Sequence, residues 1–292
     1  MDGIAECIRS FSGPSAERPR PRGRRHASIA RGPTALEVRC PDLPIHLVPE
    51  ARFIPAFGGR KVGKGDRLWG LVAKALMSWS GGKDSAMALE RALADPAIDV
   101  VGLLTTMSEE HDRISIHGVR RELLEAQVAT LGLPLVTVGL PASCSNKEYE
   151  ARMGAALRPC KSEGITHVVH GDLFLADVRQ HRERNLADAG LHALFPLWGE
   201  DTARLARSFV DRGYVAHVAC VDTTMLNASF SGRVFDHAFL NDLPTGVDPC
   251  GENGEFHTFV SAGPVLPKPV PVRTGQRVLR NGRFQFTDLL PA

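Results

Sequence analysis

From residue 72 onward the chain alternates short apolar runs with amphipathic stretches. Leu76, Met77 and Trp79 read as a short buried strand. Ala86, Met87, Leu89, Ala92 and Leu93 then recur at helical spacing. Residues 98–106 read as a second buried strand, with a polar loop at 108–113 behind it. Val119, Leu123, Leu124, Ala126, Val128 and Leu131 make a helical stripe that stops at Gly132. Residues 135–138 predict a third strand, and Asn146 predicts an N-cap for a helix reaching about residue 162. Residues 167–170 predict a fourth strand, 178–189 a helix, 195–199 a short strand and turn, and 202–212 a helix. A strand at 214–221, a short helix at 236–242 and a hairpin about Asn281-Gly282 complete the pattern. Strands alternating with helices predict an α/β fold with a doubly wound, mainly parallel sheet. The expected organisation is a domain at 72–190, a smaller α+β lobe at 191–265 that closes over a ligand, and a hairpin tail at 266–292. Ligands in such sheets sit at the carboxyl ends of the strands. That places residues 80–85, 105–107 and 171–172 on one rim.

The first strand runs into Ser78-Trp79-Ser80-Gly81-Gly82-Lys83-Asp84-Ser85. A strand, a Gly-Gly turn and a helix N-terminus make a phosphate site on physical grounds. Glycine lets the backbone approach the ligand, and the first helical N–H groups point outward with the positive end of the helix dipole. Ser80 and Ser85 add hydroxyls, and Lys83 adds what reads as a mobile positive charge. The pattern differs from Gly-x-x-x-x-Gly-Lys-Ser/Thr. It is similar to the Ser-Gly-Gly-x-Asp-Ser turn of the PP-loop ATP pyrophosphatases, which cleave ATP between the α and β phosphates.

A second constellation is Gly246-Val247-Asp248-Pro249-Cys250-Gly251-Glu252-Asn253-Gly254-Glu255-Phe256-His257-Thr258. It is too rich in glycine for a stable helix, and its carboxylates and histidine must face solvent, metal or ligand. An ordinary surface turn is the plainer reading of such a stretch taken alone. Lone histidines at 167, 170, 181 and 217 read as packed or surface residues. His117 is the exception, because the turn that carries it falls near the expected rim.

Composition narrows the class. The chain of 292 residues is 43% hydrophobic, ample for a core, and no apolar run approaches the roughly 20 residues needed to span a membrane. Its six cysteines are dispersed without a Cys-x-x-Cys pair, which argues against a zinc site or disulfide framework and fits a reducing cytoplasm. The net charge of +2 hides a split: residues 1–71 carry 13 Lys/Arg and 7 Asp/Glu, a net +6, and the rest carry 22 and 26, a net −4. A nucleic-acid surface on the body of the protein is therefore not indicated. The first segment also holds 8 of the 20 prolines, and its composition predicts disorder over about residues 1–40. It reads as a basic arm, a transit-like peptide, or a stretch that is not translated, with a start at Val72 or Met77. A near-match to the Gly-Lys-Ser/Thr loop at 58–65 reads as a basic linker, since Gly65 stands where Ser or Thr is required.

Taken together, Ser80-Gly81-Gly82-Lys83-Asp84-Ser85 and Cys250-Gly251-Glu252-Asn253-Gly254-Glu255-Phe256-His257-Thr258 resemble the diphthine–ammonia ligase family over about residues 73–265. Gly171, Asp177, Arg182, Asn185, Leu197 and Trp198 also fall where that family has matching residues. The resemblance implies the adenine nucleotide alpha hydrolase-like fold and an ATP-dependent amide ligase. ATP would adenylate a carboxylate, which is diphthine on elongation factor 2 in the family, and ammonia would then displace AMP. It implies ATP contacts at Ser78, Ser80, Gly81, Gly82, Lys83, Asp84, Ser85, Thr105, His117, Gly171 and Asp172. Lys83, Asp84, Glu252 and Glu255 would carry the chemistry, with Asp84 helping to hold Mg²⁺ and the two glutamates holding ammonium. Asp177, Arg182, Asn253 and His257 would meet the acceptor. Asn253 stands where the family has glycine, and His257 where it has glutamate, so the acceptor is left open between diphthine on elongation factor 2 and another carboxylate on a small molecule. A PP-loop enzyme that modifies tRNA and a non-catalytic ATP-binding regulator are the alternatives.

Overall fold

Residues 72–292 are described in the computed structural model of the chain, and the expectations for residues 1–71 fall outside them. The first sheet contains β1 (Ala73–Ser78), β2 (Ile98–Ser108), the two-residue β3 (Arg113–Ile114), β4 (Leu135–Leu140), β5 (His167–Val169) and β6 (His192–Leu194). Its parallel strands lie in the order β4-β2-β1-β5-β6, and β3 turns back antiparallel on the end of β2. The order reverses between β1 and β5, which makes their carboxyl ends the switch-point crevice.

Four helices cover this sheet: α1 (Lys83–Ala94), α2 (Arg121–Leu131), α3 (Asn146–Ser162) and α4 (Ala176–Asp188). Along β1, Ala75 and Met77 pack with Met87 and Leu89 of α1 and Leu123 and Leu124 of α2. Leu76 points the other way, into a cluster with Leu104, Val138, Leu157 and Leu186. Burial on both faces is why β1 and β2 read as unbroken apolar runs rather than alternating ones.

Two local expectations are corrected. Ser145, not Asn146, caps α3: its hydroxyl accepts from the Glu148 N–H at 3.2 Å, and Asn146 already lies in the first turn. The strand expected at 195–199 is instead a turn, and β6 lies just before it. Pro196 has no N–H to give to a ladder.

The second sheet is antiparallel. α5 (Thr202–Asp211) leads into β7 (Val215–Asp222), a 3₁₀ turn (Ala228–Phe230) and α6 (His237–Asp242), followed by β8 (Phe256–Ala262), β9 (Val272–Arg280) and β10 (Phe284–Pro291), ordered β8-β7-β10-β9. β9 and β10 form the hairpin expected about Asn281-Gly282, through a three-residue turn at 281–283 in which Asn281 and Gly282 take positive φ, 50° and 64°. Because β10 pairs with β7, the hairpin is built into this sheet. Phe209, Phe235, Phe239, Phe256 and Phe259 join the same core cluster as β1 and α1. Glu90 of α1 also accepts from Arg212 and, at 2.9 Å, from the Tyr214 hydroxyl.

Candidate active site

The glycine turn is assembled from both sheets. Gly81 adopts φ 73°, and a methyl there would meet Gln127 Oε1 at 2.6 Å. A methyl on Gly82 would meet the Thr258 carbonyl at 2.9 Å and His117 Nε2 at 3.2 Å. Gly81 therefore needs glycine for its backbone conformation and for space, and Gly82, whose φ is −90°, for space alone. Ser80 Oγ accepts from the Gly82 N–H at 3.3 Å, and Ser85 Oγ donates to the Gly82 carbonyl at 2.9 Å.

Gln127 is fully buried on α2 and fixes the turn from behind. Its Oε1 accepts from Trp79 Nε1 at 3.0 Å, and its Nε2 donates to the carbonyls of Gly81 at 3.1 Å and Val260 at 2.6 Å. From β8, the Val260 N–H donates to the Gly81 carbonyl at 2.8 Å. Thr258 Oγ1 accepts from the Lys83 N–H at 3.0 Å, so a residue 175 positions away caps α1. Neither Gln127 nor Thr258 was assigned a role from sequence. The available signal for Gln127 was a polar residue on the apolar stripe of α2.

Lys83 is not the mobile charge that its position suggested. It is 3% exposed, its Nζ donates to both Asp84 oxygens at 2.9 and 2.8 Å and to the Cys250 carbonyl, and it lies 5.5 Å from the Phe256 ring centroid. Burial works against the ammonium, but Asp84 beside it more than restores the charge, and its pKa lies above the ordinary lysine value. Burial lifts the Asp84 carboxyl despite Lys83.

The loop between α6 and β8 faces this pair. Glu252 Oε1 accepts from the Leu173 N–H at 2.7 Å, and the Glu252 N–H donates to Asp248 Oδ2 at 2.9 Å. Burial, with Asp84 and Asp172 adding repulsion, raises Glu252 to about 7 against the pull of the Leu173 amide. Glu255 is 1% exposed and shapes the loop: one oxygen accepts from the Asp248 N–H at 2.9 Å and from Asn253 Nδ2 at 3.0 Å. Its other oxygen is buried without a hydrogen-bond partner.

The remaining rim residues divide. Thr105 is buried and donates to the Trp79 carbonyl at 2.7 Å, so it braces the turn from β2. A methyl on Gly171 would sit 2.9 Å from the Asp84 backbone, which sets how closely the end of β5 approaches α1. Asp172 and Arg182 form an ion pair at 2.8 Å, in the field of Glu252. Ser78 is half-buried at the end of β1. Asp177 is exposed in the first turn of α4. His117 and His257 come together with ring centroids 4.7 Å apart, from the turn after β3 and from β8. His170, which the sequence left as packed or surface, is 4% exposed against Phe195 with neither ring nitrogen partnered.

Burial holds three of these histidines neutral: His117 is drawn from an ordinary 6.5 to about 4, and His170 and His257 lie well below 6.5. Between those values the unfolded chain binds more protons than the folded one, so stability falls as pH is lowered from 6.5 toward 4. Glu252 acts oppositely, binding its proton more tightly when folded between 4.5 and about 7. His167, His181 and His217 are lowered too, and the Asp84 carboxyl is raised alongside Glu252. With six groups against two, the thermal midpoint is expected to be lower at pH 5 than at pH 7.5. Calorimetry at both values checks this, and a higher midpoint at pH 5 contradicts it.

A parallel sheet whose first strand enters this Ser-Gly-Gly-Lys-Asp-Ser turn at the switch point defines a PP-loop, ATP-utilising enzyme. The chain belongs to the diphthamide synthase family: residues 73–193 match the diphthamide synthase N-terminal domain and residues 201–286 match the diphthamide synthase C-terminal domain. No curated protein matches the chain in a sequence comparison. No helix among the described residues is long and apolar enough to cross a membrane.

Proposed function

We propose that the protein is an ATP-dependent carboxylate–ammonia ligase that releases AMP and diphosphate. The observation that carries this reading is the meeting of the glycine turn with the Glu252 loop, through the bond from Lys83 to the Cys250 carbonyl. A carboxylate is a poor acyl donor, because its leaving group is oxide. Transfer to the α phosphorus of ATP supplies a better one. The turn at Ser80–Ser85, with Lys83, stabilises charge gathering on the departing diphosphate. Both Asp84 oxygens accept from Lys83, so a Mg²⁺ ion would share that carboxylate with the ammonium and take its other ligands from the phosphates and water, and such an ion would screen the phosphate charge.

Glu252 then serves the second half-reaction. Raised to about 7, it is poised to take a proton from ammonium near neutral pH. The nitrogen lone pair attacks the acyl carbon, and the carbon–oxygen bond to AMP breaks. Arg182, paired with Asp172, supplies positive charge on the side of the rim where an acceptor carboxylate would enter. Asp177, five residues before Arg182, and Asn253, one after Glu252, are exposed and fit outer contacts to a larger acceptor. The acceptor class is a carboxylate, either diphthine on elongation factor 2 or a small molecule.

Incubation with ATP, Mg²⁺, ammonium and a panel of carboxylates tests the reading. AMP and diphosphate formed together with an amide support it. ATP bound without diphosphate release overturns it in favour of a regulator. Glu252→Gln is expected to keep ATP binding and lower amide formation by about 10²–10⁴-fold. In the unaltered protein, amide formation is expected to rise with pH through about 7 as Glu252 loses its proton. A flat profile across pH 6–8 contradicts the role given to Glu252.

A further inference from the structure

The sequence places His117 with the nucleotide and His257 with the acceptor, but the structure brings the two rings together beside the glycine turn. His117 Nε2 lies against Gly82, close enough that an added methyl there would sit 3.2 Å from it. His257 stands on β8 one residue before Thr258, which caps α1. Both rings are half-buried, so each keeps some access to the rim. The turn carrying His117 holds Ile116 at φ 70°. That conformation is a genuine outlier for a β-branched residue.

We propose that His117 and His257 form a paired phosphate clamp: an anion filling the glycine turn draws a proton onto the pair, whose N–H groups then hold the departing diphosphate. The proposal rests on the ATP reading and moves His257 from the acceptor to the phosphate side. Without an anion, burial and Lys83 favour neutral rings, His117 adds to the effect at His257, and a backbone bond from Ser115 opposes it only in part at His117. A diphosphate group reverses that balance, because opposite charge at short range stabilises the protonated form. As the acceptor oxygen bonds to the α phosphorus, the bond from that phosphorus to the bridging oxygen breaks. The electron pair stays on the oxygen of the departing diphosphate, and an imidazolium N–H is there to meet it. A glutamate at 257 would instead place a like charge beside the phosphates.

The groups facing the pair allow this. α1 contributes Lys83, already matched by Asp84. β7 contributes Cys220, opposite His257 in register. Arg113, four residues before His117, pairs with Asp288 at 2.9 Å, and Arg120, three residues after it, pairs with the same carboxylate at 2.7 Å, so both cations flanking His117 in sequence are already matched.

The test is calorimetric titration of the full chain with ATP and with inorganic diphosphate, in buffers of different protonation heat. The unaltered protein is expected to take up protons on binding, and its affinity for diphosphate to rise by up to about tenfold per pH unit from pH 8 to 6. The uptake is expected to fall in His117→Gln and in His257→Gln and to vanish in the double variant, with far-UV circular dichroism confirming that each is folded. Binding without proton uptake, or uptake that survives in a folded double variant, overturns the clamp and leaves the ATP reading standing. Failure of the unaltered protein to bind either ligand overturns both. A misfolded double variant shifts the decision to the unaltered protein, where imidazole NMR signals that do not move toward the protonated form on adding diphosphate overturn the clamp.

Discussion

Lys83→Met is expected to lower diphosphate release by about 10²–10³-fold, the scale for removing one positioned donor to developing charge. Methionine keeps an unbranched side chain over the Phe256 and Phe235 rings, so much of the packing survives. What is lost is the cation that meets Asp84 and the Cys250 carbonyl. Asp84, already raised by burial, loses the charge that opposes the rise and holds its proton more readily. The variant is therefore expected to bind ATP weakly and to need a higher pH for whatever turnover remains. Lys83→Arg is not a gentle control, because a guanidinium is too broad for a position 3% exposed. Steady-state release of diphosphate measures the effect. Turnover within threefold of the unaltered protein would show that the charge on Lys83 plays no part in the chemistry.

Gln127→Leu is expected to produce the largest loss of stability among single changes at the site. It leaves Trp79 Nε1 without its partner and removes the amide that joins the Gly81 and Val260 carbonyls. Each buried polar group left unpaired costs about 1–3 kcal/mol. Gly81 keeps its bond from the Val260 N–H, so Trp79 Nε1 and the Val260 carbonyl are the main losers. A total of about 2–5 kcal/mol is expected from their sum. Leucine also pushes a branched carbon toward Gly81, where the amide oxygen already leaves no room for a methyl. Denaturant unfolding gives the stability, and ATP titration of the folded fraction gives the state of the turn. A loss under 1 kcal/mol with unchanged ATP affinity would refute this role.

What the sequence made legible is what short-range physics writes into it. β1, the glycine turn and α1 could be read because an unbroken apolar run changes to helical spacing at Gly81-Gly82. The parallel sheet followed from alternating strands and helices, and the rim from where its strands end. The hidden parts are bonds between distant segments. Nothing local to Thr258 says that its hydroxyl caps a helix beginning at Lys83. Lys83 looks mobile beside a phosphate turn until Asp84 and the Cys250 carbonyl are seen around its ammonium. Glu252 and Glu255 look equivalent in sequence, yet one faces Leu173 and the acidic rim while the other shapes its own loop. His117 was placed by its turn, but its partner on β8 could be found only in three dimensions. Ser145 and Asn146 are both good caps, and only the backbone decides between them.

The capping of α1 by Thr258 also bears on how the protein comes off the ribosome. A nascent chain halted before Phe256 already contains Ser80, Gly81, Gly82 and Lys83. It lacks the hydroxyl that receives the Lys83 N–H and the amide that bonds Gly81. The glycine turn is thus among the last features completed during synthesis, although its own residues are made well before β8. Chains halted before Thr258 therefore carry the turn without the bonds that brace it from β8.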